Sequence, residues 1–146
     1  MKIRKILAAF VSVVTICSVI SVPTFAAQET QIVTDLVSPA YEYAMITKSY
    51  LTITSSTAEC KSVCDGMAGV TQITVEHTLE KHWGLWLWNE VDGASWTKTV
   101  DTRAISLVNT KSGLDSGTYR LKSVFTLTNS SGKSETITIY SEEETI

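Results

Sequence analysis

Ile73-Thr74-Val75-Glu76-His77-Thr78-Leu79-Glu80 alternates without a break. Residues 73, 75, 77 and 79 form one row, apolar except for the histidine. Residues 74, 76, 78 and 80 form the other, threonine and glutamate throughout. Side chains of an extended chain point to opposite faces in turn, so the stretch reads as a strand with one face buried and one in water. The same period recurs on both sides. From Ser49 on, Leu51 and Ile53 alternate with Tyr50, Thr52 and Thr54. Ala58, Cys60, Ser62 and Cys64 make a row of small residues opposite Glu59 and Lys61. Leu85 to Val91 reads as a strand ended by Asp92-Gly93, and Ala104 to Val108 as another with Ile105 and Leu107 inward. Tyr119, Leu121, Ser123, Phe125 and Leu127 oppose Arg120, Lys122, Val124 and Thr126, and Thr136 to Tyr140 closes the set with Ile137 and Ile139 inside.

Turn residues separate these runs: Asp65-Gly66-Met67-Ala68-Gly69 and Asn129-Ser130-Ser131-Gly132-Lys133. No segment after residue 26 keeps a helical period for three turns. Seven short strands with no helix predict an all-β antiparallel sandwich of two packed sheets. The pattern places it at residues 49–141, after a polar, flexible lead-in at 27–48 that holds Pro39, and before an acidic tail at 142–146.

The first 26 residues read differently. Lys2, Arg4 and Lys5 precede an uncharged run from Ile6 to Val22, broken by serine and threonine and ended by Pro23. Thr24-Phe25-Ala26 puts small residues at the −3 and −1 positions of a cleavage site. This is the pattern of a secretory signal peptide, cleaved after Ala26. The expected product is released from the cell. Cleavage leaves 9 of the 12 cations against 15 acids, a net charge of −6. That balance argues against nucleic acid, which needs a basic stripe, and against electrostatic attachment to anionic membranes, so no membrane association is expected after cleavage. Cys17 leaves with the signal. Cys60 and Cys64 remain, and export permits a disulfide. Residues four apart on one strand lie about 13 Å from each other, whereas a disulfide spans at most about 7 Å between Cα atoms, so the pair bridges only if the chain turns between them.

Leu114-Asp115-Ser116-Gly117-Thr118-Tyr119-Arg120-Leu121 resembles the D-x-G-x-Y corner of immunoglobulin-like domains. In that corner, a tyrosine near the start of the sixth strand returns its hydroxyl to backbone upstream. The resemblance implies structural roles for Asp115, Gly117 and Tyr119 and an immunoglobulin-like type of sandwich. Two positions depart from it: Leu121 stands where the sixth-strand cysteine would, and Val75 or His77 where the core tryptophan of the third strand would. The layout over residues 50–140 is similar to a group of small, uncharacterised secreted proteins of Gram-positive bacteria. The likeness is carried by the Ala58–Cys60 strand, Ile73-x-Val75-x-x-x-Leu79-Glu80-Lys81, the tryptophan-rich segment, Gly117-Thr118-Tyr119-Arg120 and Gly132-Lys133-Ser134-Glu135-Thr136. It implies a fold and an extracellular compartment, and brings no activity.

Trp83, Trp86, Trp88 and Trp96 fall within fourteen residues. On a strand from 85 to 91, Trp86 and Trp88 share one face and Leu85 and Leu87 the other. One row then fills the core and the other is displayed; both assignments are open. Displayed tryptophans would stack on a sugar ring, with Asn89, Glu90 and Asp92 bonding its hydroxyls, or dock a protein. His77 and His82 point to opposite faces of a strand, so they do not converge on a metal, and His77, in the apolar row, reads as a hydrogen-bonded, partly buried histidine. No G-x-S-x-G elbow is present, and the carboxylates fall mostly at turns and outward positions. The expectation is a secreted, non-enzymatic binding module for a protein or glycan at the cell surface. A carbohydrate-binding module is the alternative. No catalytic residue, metal or cofactor is expected.

Overall fold

A computed structural model describes residues 40–146. The expected signal peptide and the lead-in up to residue 39 lie outside the described residues. Eight strands follow in order: β1 Ala44–Thr54, β2 Thr57–Gly66, β3 Val70–His82, β4 Trp88–Val100, β5 Ala104–Ser112, β6 Thr118–Asn129, β7 Ser134–Tyr140 and the short β8 Glu144–Thr145. There is no helix among the described residues. The strands make two antiparallel sheets, ordered β1-β2-β5 and β4-β3-β6-β7, with β8 paired to β6 beyond the end of β7. The sheets pack face to face, so the chain is an all-β, two-sheet sandwich.

The three central strands follow the alternation. In β2, Ala58, Cys60, Ser62 and Cys64 are all fully buried. In β3 the buried row is Ile73, Val75, His77 and Leu79, and in β6 it is Tyr119, Leu121, Ser123, Phe125 and Leu127. Small side chains on β2 make room for the large ones of β6, which lets the interior close at the density a core requires. The buried apolar residues form two clusters. One gathers Cys64, Ile73, Val75, Phe125 and Leu127, the other Leu51, Cys60, Leu79, Tyr119 and Leu121. Both lie within the compact unit Val37–Ile146.

The structure corrects three boundaries. β1 begins at Ala44 rather than at 49, and its first residues pair with the end of β2. A register shift between Ala44 and Ile46 breaks period two there, so alternation does not reveal the strand. Residues 85–87 are a turn rather than the start of a strand. β4 instead runs past Asp92-Gly93 to Val100. Gly93 takes a left-handed φ of 64° inside the strand, close to the register shift between Thr78 and Glu80 of β3. It makes a bulge where the sequence reads as a stop. Finally, the acidic tail is not all loose: Glu144 and Thr145 pair with Tyr119 and Thr118.

A tyrosine ties the corner before β6. The Tyr119 hydroxyl donates to the Asp115 carbonyl at 2.5 Å while the ring is buried. The Lys81 ammonium sits 5.4 Å from the ring centre. Gly117 exchanges two backbone bonds with Ile146, at 2.9 and 3.0 Å. A Cβ on Gly117 would come within 2.5 Å of Lys81 Cε, so any other residue there displaces that lysine.

These contacts differ in size. Tyr119→Phe keeps the ring and removes one hydrogen bond, an expected loss of about 1 kcal/mol in urea unfolding. Phe125→Ala empties the centre of the first cluster, an expected loss of about 3–5 kcal/mol. A Tyr119→Phe loss as large as that of Phe125→Ala would refute the secondary role given to the corner bond.

Candidate functional site

At one end of the sandwich, β3 and β4 join through Trp83-Gly84-Leu85-Trp86-Leu87. Gly84 and Leu85 both have left-handed φ, 89° and 53°. Glycine adopts this freely; a leucine there is uncommon and strained by about 1–3 kcal/mol. Hydrogen bonds hold the turn. The Trp83 amide donates to Leu87 O at 2.8 Å and the Leu87 amide to Gly84 O at 3.1 Å. His82 Nε2 donates to Leu85 O at 2.9 Å. The result displays apolar side chains: Trp83 is 71% exposed, Leu85 81%, Trp86 79% and Leu87 56%.

This overturns the expected division into two rows. Trp86 and Trp88 do not share a strand face, and neither leucine enters the core. Trp86 stands at the tip. Trp88, the first residue of β4, is half-buried, with the Arg120 guanidinium 4.1 Å from its ring centre and the His82 ring 4.9 Å away. Arg120 also lies 4.1 Å from the Tyr140 ring and pairs with Glu80 at 2.7 Å. Trp88 is therefore the root of the hairpin, part of a cation–aromatic stack across the outer face of the sheet. Trp96 is partly buried against the second core cluster.

Asn89 and Glu90, both exposed, gather around Trp83 instead. With Lys81, Asp115 and Tyr119 they line a shallow pocket of about 140 Å³ at the base of the hairpin. Small-molecule pockets begin at roughly 300 Å³, so this one supports a group laid across it and does not enclose a ligand.

The other polar cluster lies in the core. Ser62 Oγ is 2.6 Å from His77 Nε2, and both residues are fully buried. Ser49 and Ser123 bond across the sheets at 2.8 Å. These four residues form a polar layer between the two apolar clusters. Burial pushes the His77 pKa from 6.5 down to about 4, and the nearby Asn109 side chain partly offsets this. His77 Nδ1 and Asn109 Oδ1 are both buried without a protein partner. The imidazole is neutral at neutral pH. A serine and a histidine at this distance resemble a nucleophile and its base, but no substrate reaches a pair that is fully enclosed. The sequence marks His77 as hydrogen-bonded and partly buried without naming Ser62; the structure buries it fully. The clue is that Ser62, His77 and Ser123 each interrupt an otherwise apolar or small row near mid-strand.

Cys60 and Cys64 are free thiols on the same face of β2. The strand does not turn between them, so the condition for a bridge is not met. Burial raises both thiols to about 12, with adjacent Glu59 and Asp65 adding to it.

Two outcomes follow for chain 27–146. Between pH 6.5 and about 4 the unfolded chain takes up a proton that folded His77 refuses. Stability is therefore lost as pH falls through that window, by up to about 3 kcal/mol. Denaturant midpoints measured from pH 7 to 4 should show this decline, and His77→Leu should flatten it; a parent profile flat to pH 4.5 would contradict the neutral histidine. At pH 8 a thiol reagent should find neither cysteine in the native protein and both after unfolding. Prompt native reactivity would show that the β2 row is open.

No protein-family model matches the chain, and no curated protein matches it.

Proposed function

We propose that this chain is an exported, non-enzymatic recognition module of immunoglobulin-like type that meets its target with the β3–β4 hairpin end. The export reading rests on residues 1–26, and its placement among secreted proteins of Gram-positive bacteria on the resemblance over residues 50–140. The type is supported by the strand orders, with the first, second and fifth strands on one sheet and the third, sixth and seventh together on the other. The Tyr119 bond to Asp115 at the start of the sixth strand supports it further.

One observation carries the functional reading. Trp83, Leu85, Trp86 and Leu87 stand exposed together on a single turn, in a fold that buries its other tryptophans at least in part. Large apolar side chains clustered in water mark an interaction site. The enclosure of Ser62 and His77 supports a role without catalysis. The target in this reading is a protein or glycan at a cell surface. The pocket favours a second form of it, a carbohydrate-binding module in which a sugar stacks on Trp83 and bonds Asn89, Glu90 and Asp115. Trp88 does not serve there because Arg120 covers its ring.

Binding of labelled chain 27–146 to intact bacterial cells and isolated envelope tests the reading. Leu85→Ser/Trp86→Ser should weaken binding at least about tenfold, as the loss of two anchoring side chains requires. Asn89→Ala/Glu90→Ala should do so only if a glycan is bound. Full binding by the Leu85→Ser/Trp86→Ser variant would refute the hairpin as the binding end.

A further inference from the structure

We infer that the tip of the β3–β4 hairpin inserts into the interface of a lipid bilayer. The inference rests on the reading of this end as the binding end, and names its partner. It departs from the expectation of no membrane association, which came from charge.

Composition is the first argument. From Trp83 to Trp88 the chain reads Trp-Gly-Leu-Trp-Leu-Trp, with no ionisable side chain and no polar group but the indole N–H. A sugar needs hydroxyl partners at the point of contact and protein interfaces carry a polar rim; here the polar groups, Asn89, Glu90 and Asp115, lie at the base around Trp83 and not at the tip. A bilayer needs neither. Tryptophan favours the membrane–water boundary, where its ring meets apolar chains and its N–H meets water or headgroups.

The backbone is the second argument. Polar backbone groups entering lipid must be satisfied within the protein. In this turn the Trp83 and Leu87 amides and the Gly84, Leu85 and Leu87 carbonyls have partners, whereas the Gly84, Leu85 and Trp86 amides and the Trp83 and Trp86 carbonyls have none within the protein, which holds insertion to the hydrated headgroup boundary. The Leu85 carbonyl, beside the most exposed residue of the tip, is met by the His82 ring. A loop built only to meet water has no need of that bond.

Shape and charge complete the case. The feature is a projecting turn, so its partner needs no matching cavity. Two residues on each arm reach about 7 Å past the last strand pair, within the roughly 5–10 Å depth of the headgroup and acyl boundary. Around its base stand Lys81 and Arg120 together with Glu80, Glu90 and Asp115, a mixture of signs suited to a zwitterionic headgroup layer. The net charge of −6 after cleavage opposes anionic membranes but leaves insertion of an uncharged tip into a neutral one unhindered. The Trp88–Arg120–Tyr140 stack anchors the root of the hairpin to the sheet beneath the tip.

The test is flotation of chain 27–146, which lacks the apolar leader, with phosphatidylcholine vesicles, read with tryptophan emission. The chain should float with the vesicles, and its emission should shift to the blue and be quenched by phosphatidylcholine brominated near the top of the acyl chains. Leu85→Ser/Trp86→Ser should cut partitioning at least about tenfold; both side chains are exposed, so no core contact is lost. Tyr50→Ser, on the other sheet, should leave partitioning unchanged. Absence of flotation and quenching with the parent chain, or equal flotation of the tip variant, overturns the inference. If the parent ignores vesicles yet Leu85→Ser/Trp86→Ser still abolishes binding to cells, the lipid partner falls and the recognition reading stands with a protein or glycan. If the variant binds cells as well as the parent, both fall.

Discussion

The pairing of β3 with β6 is the constraint on which the rest depends. The two strands run antiparallel in register from Gln72 opposite Thr128 to Lys81 opposite Tyr119. Each presents a fully buried row to the other sheet, and together they supply most of the large side chains of the core. β2 answers them with small residues, so the two sheets close on side chains of complementary volume. The same register decides where things end. Tyr119 anchors the start of β6 to Asp115 while Lys81 lies across its ring, and β3 leaves the sheet just beyond. The hairpin tip projects from there because the pair beneath it is fixed.

A polar layer divides the core, and its cost is contained by neutrality. Burying a charged imidazole without a counter-ion would be expensive. His77 avoids this by staying deprotonated and bonding Ser62, while Ser49 and Ser123 satisfy each other. The two cysteines beside this layer act as small apolar fillers, since burial keeps their thiols protonated. Chemistry-bearing residue types are present in the core, and each of them is enclosed.

The hairpin end reverses that logic. Folding alone favours neither four exposed apolar side chains on one turn nor a leucine held at φ 53°. Local strain persists where surrounding bonds enforce it, and such places tend to be functional. Here three hydrogen bonds hold the turn, and the Arg120 stack with Trp88, Tyr140 and Glu80 roots it. Hydrogen bonds hold the turn where it displays four large apolar side chains, which suits contact with a partner by a preformed tip.

Alternation is a local property, so the sequence by itself determined the faces of β2, β3 and β6 and placed His77 in the inward row of β3, while a resemblance marked the corner at Asp115, Gly117 and Tyr119. It failed wherever backbone conformation broke the period. The bulge at Ala44 and Ile46 hid the start of β1, Gly93 read as a stop inside a continuous strand, and left-handed Leu85 turned a supposed strand into a loop. Those same breaks governed the candidate site. Trp86 and Trp88 are two residues apart, and period two would place them side by side. Only the tertiary structure decided that one stands in water at the tip while the other lies beneath Arg120, because that choice depends on where β3 pairs with β4 and β6 and on a guanidinium thirty-two positions away in the chain. Contacts at that separation leave no period to read.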